Sequence, residues 1–185
     1  MADNSGLLTR ECLLETDIEA LFPSDYVSSV SERMSLYKEL ESIKELDKLE
    51  TFCKKIIDIF GPMPTPTKEL MQTIPLRLLA ADLHFEKIVL KKGTFIGYFI
   101  GNSASKYYQS DDFGRMLMFM QMNHPTVQLK ESNSKLLLTI NKIPTIKSAI
   151  HWLEKINHFC SNKENNETND ISPAERPNLS CKYDI

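Results

Sequence analysis

Four histidines, His84, His124, His151 and His158, are the side chains of this chain best suited to proton transfer or metal ligation near neutral pH, and they are dispersed over its 185 residues. His151 and His158 stand seven apart on one expected helix, two turns distant, whereas a zinc-binding pair has the i, i+4 spacing of H-E-x-x-H. Solvated surface positions account for both. The adjacent carboxylates Asp111 and Asp112 open an expected helix, where capping explains them without acid–base catalysis. None of the six glycines belongs to a G-x-G-x-x-G or phosphate-cradling loop. The residues therefore define no catalytic, cofactor or metal site. The four cysteines, Cys12, Cys53, Cys160 and Cys181, lack C-x-x-C spacing and read as free thiols. Cys53 and Cys160 fall on apolar helix faces, where they act as small hydrophobes.

Binding chemistry is scarcely better represented. Lys106, Tyr107 and Tyr108 offer rings for base stacking, but no basic stripe accompanies them. A net charge of −3 and an isoelectric point near 5.8 give no electrostatic footprint for nucleic acid. Met116, Met118, Met120 and Met122 suggest a plastic surface, yet their alternation spreads them around a helix, so burial between layers is expected. One carboxylate stands out. Leu46, Leu49, Phe52, Cys53, Ile56 and Phe60 mark the inner face of a helix stopped by Gly61-Pro62. Asp58 lies in its last turn, where the helix dipole disfavours a negative charge by roughly 0.3 to 1 kcal/mol. A broken local rule at a helix end points to function.

The surrounding elements are an acidic strand within Cys12–Leu21 and a break at Pro23. A helix capped by Ser29 or Ser31 follows, with Val30, Met34, Tyr37 and Leu40 inward. After the Asp58 helix, a third helix opens at Thr67-Lys68-Glu69 and runs to about Leu83, with Leu70, Ile74, Leu78 and Leu79 inward; Pro75 should kink or split it. The period then changes to two. Residues 86–91 and 94–100 flank Lys92-Gly93 as a β-hairpin. A helix over about 112–121 (Phe113, Leu117 and Met120 on one face) and a second hairpin, 126–130 with 135–140, come next. Pro144 starts a last helix that buries Ile146, Ala149, Ile150, Leu153, Ile156 and Cys160. The fold class is α+β, with an N-terminal helical cluster packed beside a small antiparallel sheet and two further helices. Residues 1–160 form one compact domain, 11–85 mainly helical and 86–160 hairpins plus helices. Residues 161–185 lack apolar periodicity and read as a flexible tail. No apolar run approaches the ~20 residues of a membrane span, and the polar N-terminus lacks signal-peptide character, so a cytoplasmic protein is expected.

The segment Phe22-Pro23-Ser24-Asp25-Tyr26-Val27, then Arg33 followed by Tyr37-Lys38, then Asp58-Ile59-Phe60-Gly61-Pro62-Met63-Pro64, resembles the C-terminal domain of the bacterial transcription-repair coupling factors (Mfd). The resemblance covers about Glu11 to Phe159 and is strongest from Phe22 to Leu83. It implies a non-catalytic, autoinhibitory regulatory domain of transcription-coupled DNA repair, belonging to a much longer ATP-driven DNA translocase. Such a domain docks on the UvrB-like module of the same protein, masks the surface that UvrA binds, and is linked indirectly to stalled RNA polymerase. ATP and DNA binding belong to the full-length factor, and no cofactor is implied for this domain. On this reading Met1 is an artificial start.

The family has an acidic residue three positions before the Asp, and Arg directly after it. This chain has Lys55 and Ile59 there and keeps Asp58. Lys55, Asp58, Arg33 and Lys38 are the candidate docking residues, and Lys55 needs an acidic partner unless the contact has moved. A DNA-contacting accessory to the translocase is the second reading; a small hydrolase with an unrecognised site is a remote third.

Overall fold

The computed structural model describes residues 11–101 and 105–161. A short strand, β1 (Leu13–Thr16), precedes three helices, α1 (Val30–Ser42), α2 (Leu46–Phe60) and α3 (Thr65–Asp82). Then come the hairpin β2 (Phe85–Lys91) and β3 (Thr94–Phe99), a 3-10 turn over Lys106–Gln109, α4 (Asp111–Met122), the hairpin β4 (Val127–Ser132) and β5 (Lys135–Asn141), and α5 (Ile146–Ser161). The five strands form one sheet in the order β1-β2-β3-β5-β4. The α+β class holds, with one correction: the sheet is mixed, because β1 joins β2 in parallel. Its connection to β2 passes through all three helices, and a parallel neighbour needs such a crossover.

Local chemistry sets the element ends. The strand expected over Cys12–Leu21 stops at Thr16, whose hydroxyl accepts from the Ile18 amide and turns the chain. Asp17 then accepts from the Lys92 amide, tying β1 to the tip of the β2–β3 hairpin. That tip, Lys92-Gly93, and its counterpart Asn133-Ser134 both have two residues at positive φ, the backbone of tight hairpin turns whose twist matches the strands. Ser29 caps α1 by accepting from Glu32. In α4 the cap is Ser110, which accepts from Phe113; Asp111 and Asp112 fill the first turn instead of capping it. Pro144 lies two residues ahead of α5, where Thr145 and Ser148 exchange side-chain-to-amide hydrogen bonds of 3.1 Å.

Two apolar clusters form. One joins Phe22, Val27, Leu36, Leu40 and Ile43 to Leu49, Phe52, Cys53 and Ile56 of α2 and to Met71 and Ile74 of α3. The other packs Leu76 and Ala80 of α3, with α4 and the whole inner stripe of α5, onto Ile88, Leu90, Phe95, Phe99, Leu138 and Ile140 of the sheet. Thus α3 serves both clusters. It runs unbroken through Pro75, which is buried between Ile74 and Leu76. Burial of such side chains contributes roughly 1.5 to 3 kcal/mol each and offsets the ~3 kcal/mol of an interior proline. It also starts two residues early, because Pro66 suits a first turn.

Two inner faces differ from expectation. On α1 the stripe is Leu36, Leu40 and, just beyond the helix, Ile43, at the spacing that meets α2; Val30 and Met34 are 65% and 53% exposed. On α4, Met116, Phe119 and Met120 are buried, whereas Met118 and Met122 are exposed. Tyr107, whose ring the sequence offered for stacking without an accompanying basic stripe, is itself buried beside Phe99 and Phe113, and the Tyr108 hydroxyl donates to the Ile100 carbonyl. Cys12, Cys53 and Cys160 are buried free thiols, and burial raises each to about 11. Cys181 and the expected tail lie outside the described residues, except that Ser161 is helical.

The seam between α3 and α5 holds three buried acceptor atoms, Glu69 Oε2, Gln72 Oε1 and Glu154 Oε1, without hydrogen-bond partners among the described residues. Burial raises Glu154 above its ordinary 4.5, with His151 pulling the other way. Below 4.5 both folded and unfolded chains hold the proton; as pH rises the unfolded chain releases it first, so stability falls. Glu154→Gln is therefore expected to raise the melting temperature at pH 7, with the gain vanishing below pH 4.5. Thermal melts of both proteins across that range check it.

Candidate interaction surface

The end of α2 is held from two sides. Gly61, at φ 84°, terminates the helix by donating its amide to the Ile57 carbonyl. The Tyr26 hydroxyl donates to the Gly61 carbonyl at 2.7 Å, and its ring packs on Phe60 at 5.8 Å between centroids. The loop carrying Tyr26 is fixed in turn by Arg33, whose guanidinium donates to the Val27 and Ser28 carbonyls, and by the Tyr37 hydroxyl, which accepts from the Phe22 amide at 2.9 Å. The Tyr26, Arg33 and Tyr37 of the sequence signature thus act locally. They lock the loop before α1 against the end of α2.

On this frame the four candidate residues separate. Lys55 and Asp58 lie on α2 and are exposed. Lys55 Nζ bridges to both Glu39 carboxylate oxygens on α1, at 2.7 and 2.8 Å, and lies 5.8 Å from the centre of the Phe52 ring. Asp58 makes no ion pair and no side-chain hydrogen bond among the described residues. Beside it Ile59 is 56% exposed, a large apolar side chain presented to solvent. Arg33 is spent on the loop carbonyls, and Lys38 is exposed on α1. The structure brings Asp58 and Ile59 together at the helix end, with Lys55 one turn earlier already neutralised by Glu39. It does not assemble Arg33 and Lys38 with them.

Glu39 and Ile59 are the residues of this surface that the candidate set omitted. The α1–α2 link is only three residues long and makes the helices antiparallel neighbours, so a position near the end of α1 faces one in the second half of α2. That hairpin geometry is the signal for Glu39. The Glu39–Lys55 pair, each side chain more than two-fifths exposed, should couple by only about 0.2 to 1 kcal/mol. A double-mutant cycle of Lys55→Ala and Glu39→Ala, read from urea midpoints, is expected to give a value in that range, fading in high salt.

The TRCF domain family model matches residues 16–110, just over half of the chain and the whole of this surface. The chain belongs to the TRCF domain family. Its relatives include the transcription-repair-coupling factors of Haemophilus influenzae, 37% identical over 114 residues (60% of the chain), and of Escherichia coli, 32% identical over 82 residues (44% of the chain). Those residues are 9% and 7% of the respective relatives, so the chain spans only about a tenth of their length. The fold matches a crystal structure of the C-terminal domain of a transcription-repair coupling factor with a TM-score of 0.63 at 15% identity, covering 84% of this chain and 98% of that one. The fold match thus covers more of the chain than the family model does. No described helix is long and apolar enough to cross a membrane.

Proposed function

We propose that the chain is a non-catalytic regulatory domain of a transcription-repair coupling factor, which docks on the UvrB-like module of the same protein, masks UvrA binding and restrains the ATP-driven translocase. Residues 1–160 act as one unit, since α3 contributes to both apolar clusters and ties the docking lobe to the sheet lobe. The observation that carries the reading is the end of α2. Asp58 sits on a rigidly held helix terminus, disfavoured by its own dipole, without an ion pair or side-chain hydrogen bond among the described residues and beside an exposed Ile59. A carboxylate held so is poised for a basic group on another surface. Asp58 is the primary docking residue. Lys55 contributes through its Glu39 pair, Arg33 acts indirectly by holding the loop before α1, and Lys38, exposed on α1, meets the partner apart from them.

The surface charges argue against the DNA-contacting alternative. Lys44, Lys48, Lys54, Lys55, Lys87, Lys91 and Lys135 each lie within 4 Å of a glutamate carboxylate, so these cations are locally compensated rather than free for phosphates. Duplex-DNA binding by the purified chain separates the readings. A docking domain gives weak binding without specific phosphate contacts, whereas a DNA-contacting domain gives a steep log–log loss of affinity with salt, about 0.9 per phosphate engaged.

A further inference from the structure

The sheet has a second face. Ile88, Leu90, Phe95, Phe99, Leu138 and Ile140 pack with α3, α4 and α5, and the alternate positions of the same strands point the other way. By register those alternate residues form two adjoining rows, Lys87–Tyr98–Leu137–Lys130 and Val89–Ile96–Thr139–Gln128. A solvated face of an antiparallel sheet is ordinarily polar. This one has an apolar centre of Val89, Ile96, Tyr98 and Leu137, and none of the four belongs to either apolar cluster. We propose that this face is a docking surface for the chain's own segment 162–185, with Leu179, Cys181, Tyr183 and Ile185 as its apolar contacts.

Three observations select this occupant. The first is sequence period. The segment has no helical stripe, but Leu179, Cys181, Tyr183 and Ile185 fall at every second position, with Ser180, Lys182 and Asp184 between them. In an extended chain that pattern repeats every ~6.7 Å, the separation of successive same-face side chains such as Ile96 and Tyr98 on β3. The second is charge. Residues 162–185 carry Glu164, Glu167, Asp170, Glu175 and Asp184 against Lys163, Arg176 and Lys182, so the segment is acidic. The face is framed by Lys87, Lys91, Lys130 and Lys135. Lys87 and Lys91 share one carboxylate, that of Glu15, and Lys130 makes no ion pair among the described residues. The frame is therefore basic, and complementary to the segment.

The third is size and reach. With strands ~4.8 Å apart and a rise of ~3.4 Å per residue, the apolar centre covers roughly 200 Å². Each partner of a stable complex buries about 800 Å², so a free partner or a second copy gains too little from this face alone. A tethered segment needs less, because the chain holds it at an effective concentration of the order of millimolar. Ser161, where the segment departs, lines one cleft with His84, next to the start of β2, and the row of Lys87, Tyr98 and Leu137 lies at that end of the sheet. Residues 162–178 can reach up to ~3.3 Å each, enough to round the sheet and place Leu179 on its far side.

The test is the alkylation rate of Cys181 by iodoacetamide in the full chain at mildly alkaline pH, read by peptide mass spectrometry. Cys12, Cys53 and Cys160 are buried and held at about 11, so they react slowly and do not compete. Cys181 should react at least about tenfold more slowly than in a synthetic peptide of residues 175–185. Ile96→Lys on the face and Ile185→Asp on the segment should each restore the peptide rate. The second variant lies outside both apolar clusters, so it keeps the test valid if the first fails to fold. In the isotope-labelled chain, Ile185→Asp should also shift the amides of Val89, Ile96, Tyr98 and Thr139. Alkylation of the wild-type chain at the peptide rate would overturn the proposal, as would protection that survives both variants. Protection that grows with protein concentration would assign the face to a second copy instead.

Discussion

Asp58→Lys is expected to weaken docking by about 2 to 5 kcal/mol, a thirty- to several-thousand-fold loss of affinity, while leaving the fold intact. The size follows from what is left behind. When one partner of a buried charge pair is removed, the other remains desolvated and unpaired, and reversal adds repulsion to that penalty. The intact fold follows from the location. Asp58 is exposed in the last turn of α2 and makes no ion pair or side-chain hydrogen bond among the described residues, so a lysine there suits the dipole better than the carboxylate it replaces. Glu39, with its carboxylate engaged by Lys55, should not compensate. Binding of the purified chain to a separately expressed UvrB-like module, by calorimetry, with thermal melts of both variants, checks both halves. Lost affinity together with a lowered melting temperature would assign Asp58 a structural role instead.

The largest expected effect on stability lies in the sheet. Gly97, in the middle of β3, faces Phe85 of the neighbouring strand, and a Cβ there would stand 2.6 to 2.9 Å from three of its ring carbons. Phe85 is 1% exposed and packed against Phe95 and Phe99, so the ring has nowhere to retreat. Gly97→Ala is therefore expected to destabilise by about 1 to 3 kcal/mol, despite the better strand propensity of alanine. For a chain of this size that lowers the melting temperature by roughly 2 to 12 °C. Gly114 is the natural control. It sits inside α4 with nothing within 4 Å of an added Cβ, and Gly114→Ala should stabilise by about 0.5 to 1 kcal/mol. Paired thermal melts giving opposite signs would confirm that packing, not propensity, governs Gly97.

Much of this architecture was legible because it rests on local signals. The α2 stripe ending at Gly61, the two hairpins, and the α5 stripe from Ile146 to Cys160 each combine strong periodicity with a distinct stop. What escaped depends on partners distant in sequence. The parallel pairing of β1 depends on a strand some seventy residues away, and nothing near Gly97 in the sequence shows that Phe85 packs over it. The inner face of α1 shifted because Val30 and Met34 are as apolar as Leu36 and Leu40, and only the position of α2 chooses between the two stripes. At the candidate surface, the signature residues Tyr26, Arg33 and Tyr37 brace the end of α2 and the loop before α1, a role that only the fold shows. The partner of Lys55 required the α1–α2 hairpin.

These bracing contacts favour the proposed docking role of the helix end. A contact on a mobile terminus would lose affinity to the entropy of ordering it, whereas Gly61, Tyr26 and Phe60 fix the terminus beforehand. The closed state would then be set by a small number of contacts, among which Asp58 is the one with no ion pair or side-chain hydrogen bond among the described residues.

The central claim is restraint through docking, and the most direct measurement is made on a full-length factor carrying this domain. Basal ATPase rate and UvrA pull-down are compared between wild type and Asp58→Lys, with circular dichroism as the folding control. If one closed state restrains both activities, losing its contact shifts the population towards the open form, so both should rise together. Unchanged ATPase and unchanged UvrA capture, with an intact fold, would contradict docking through the end of α2.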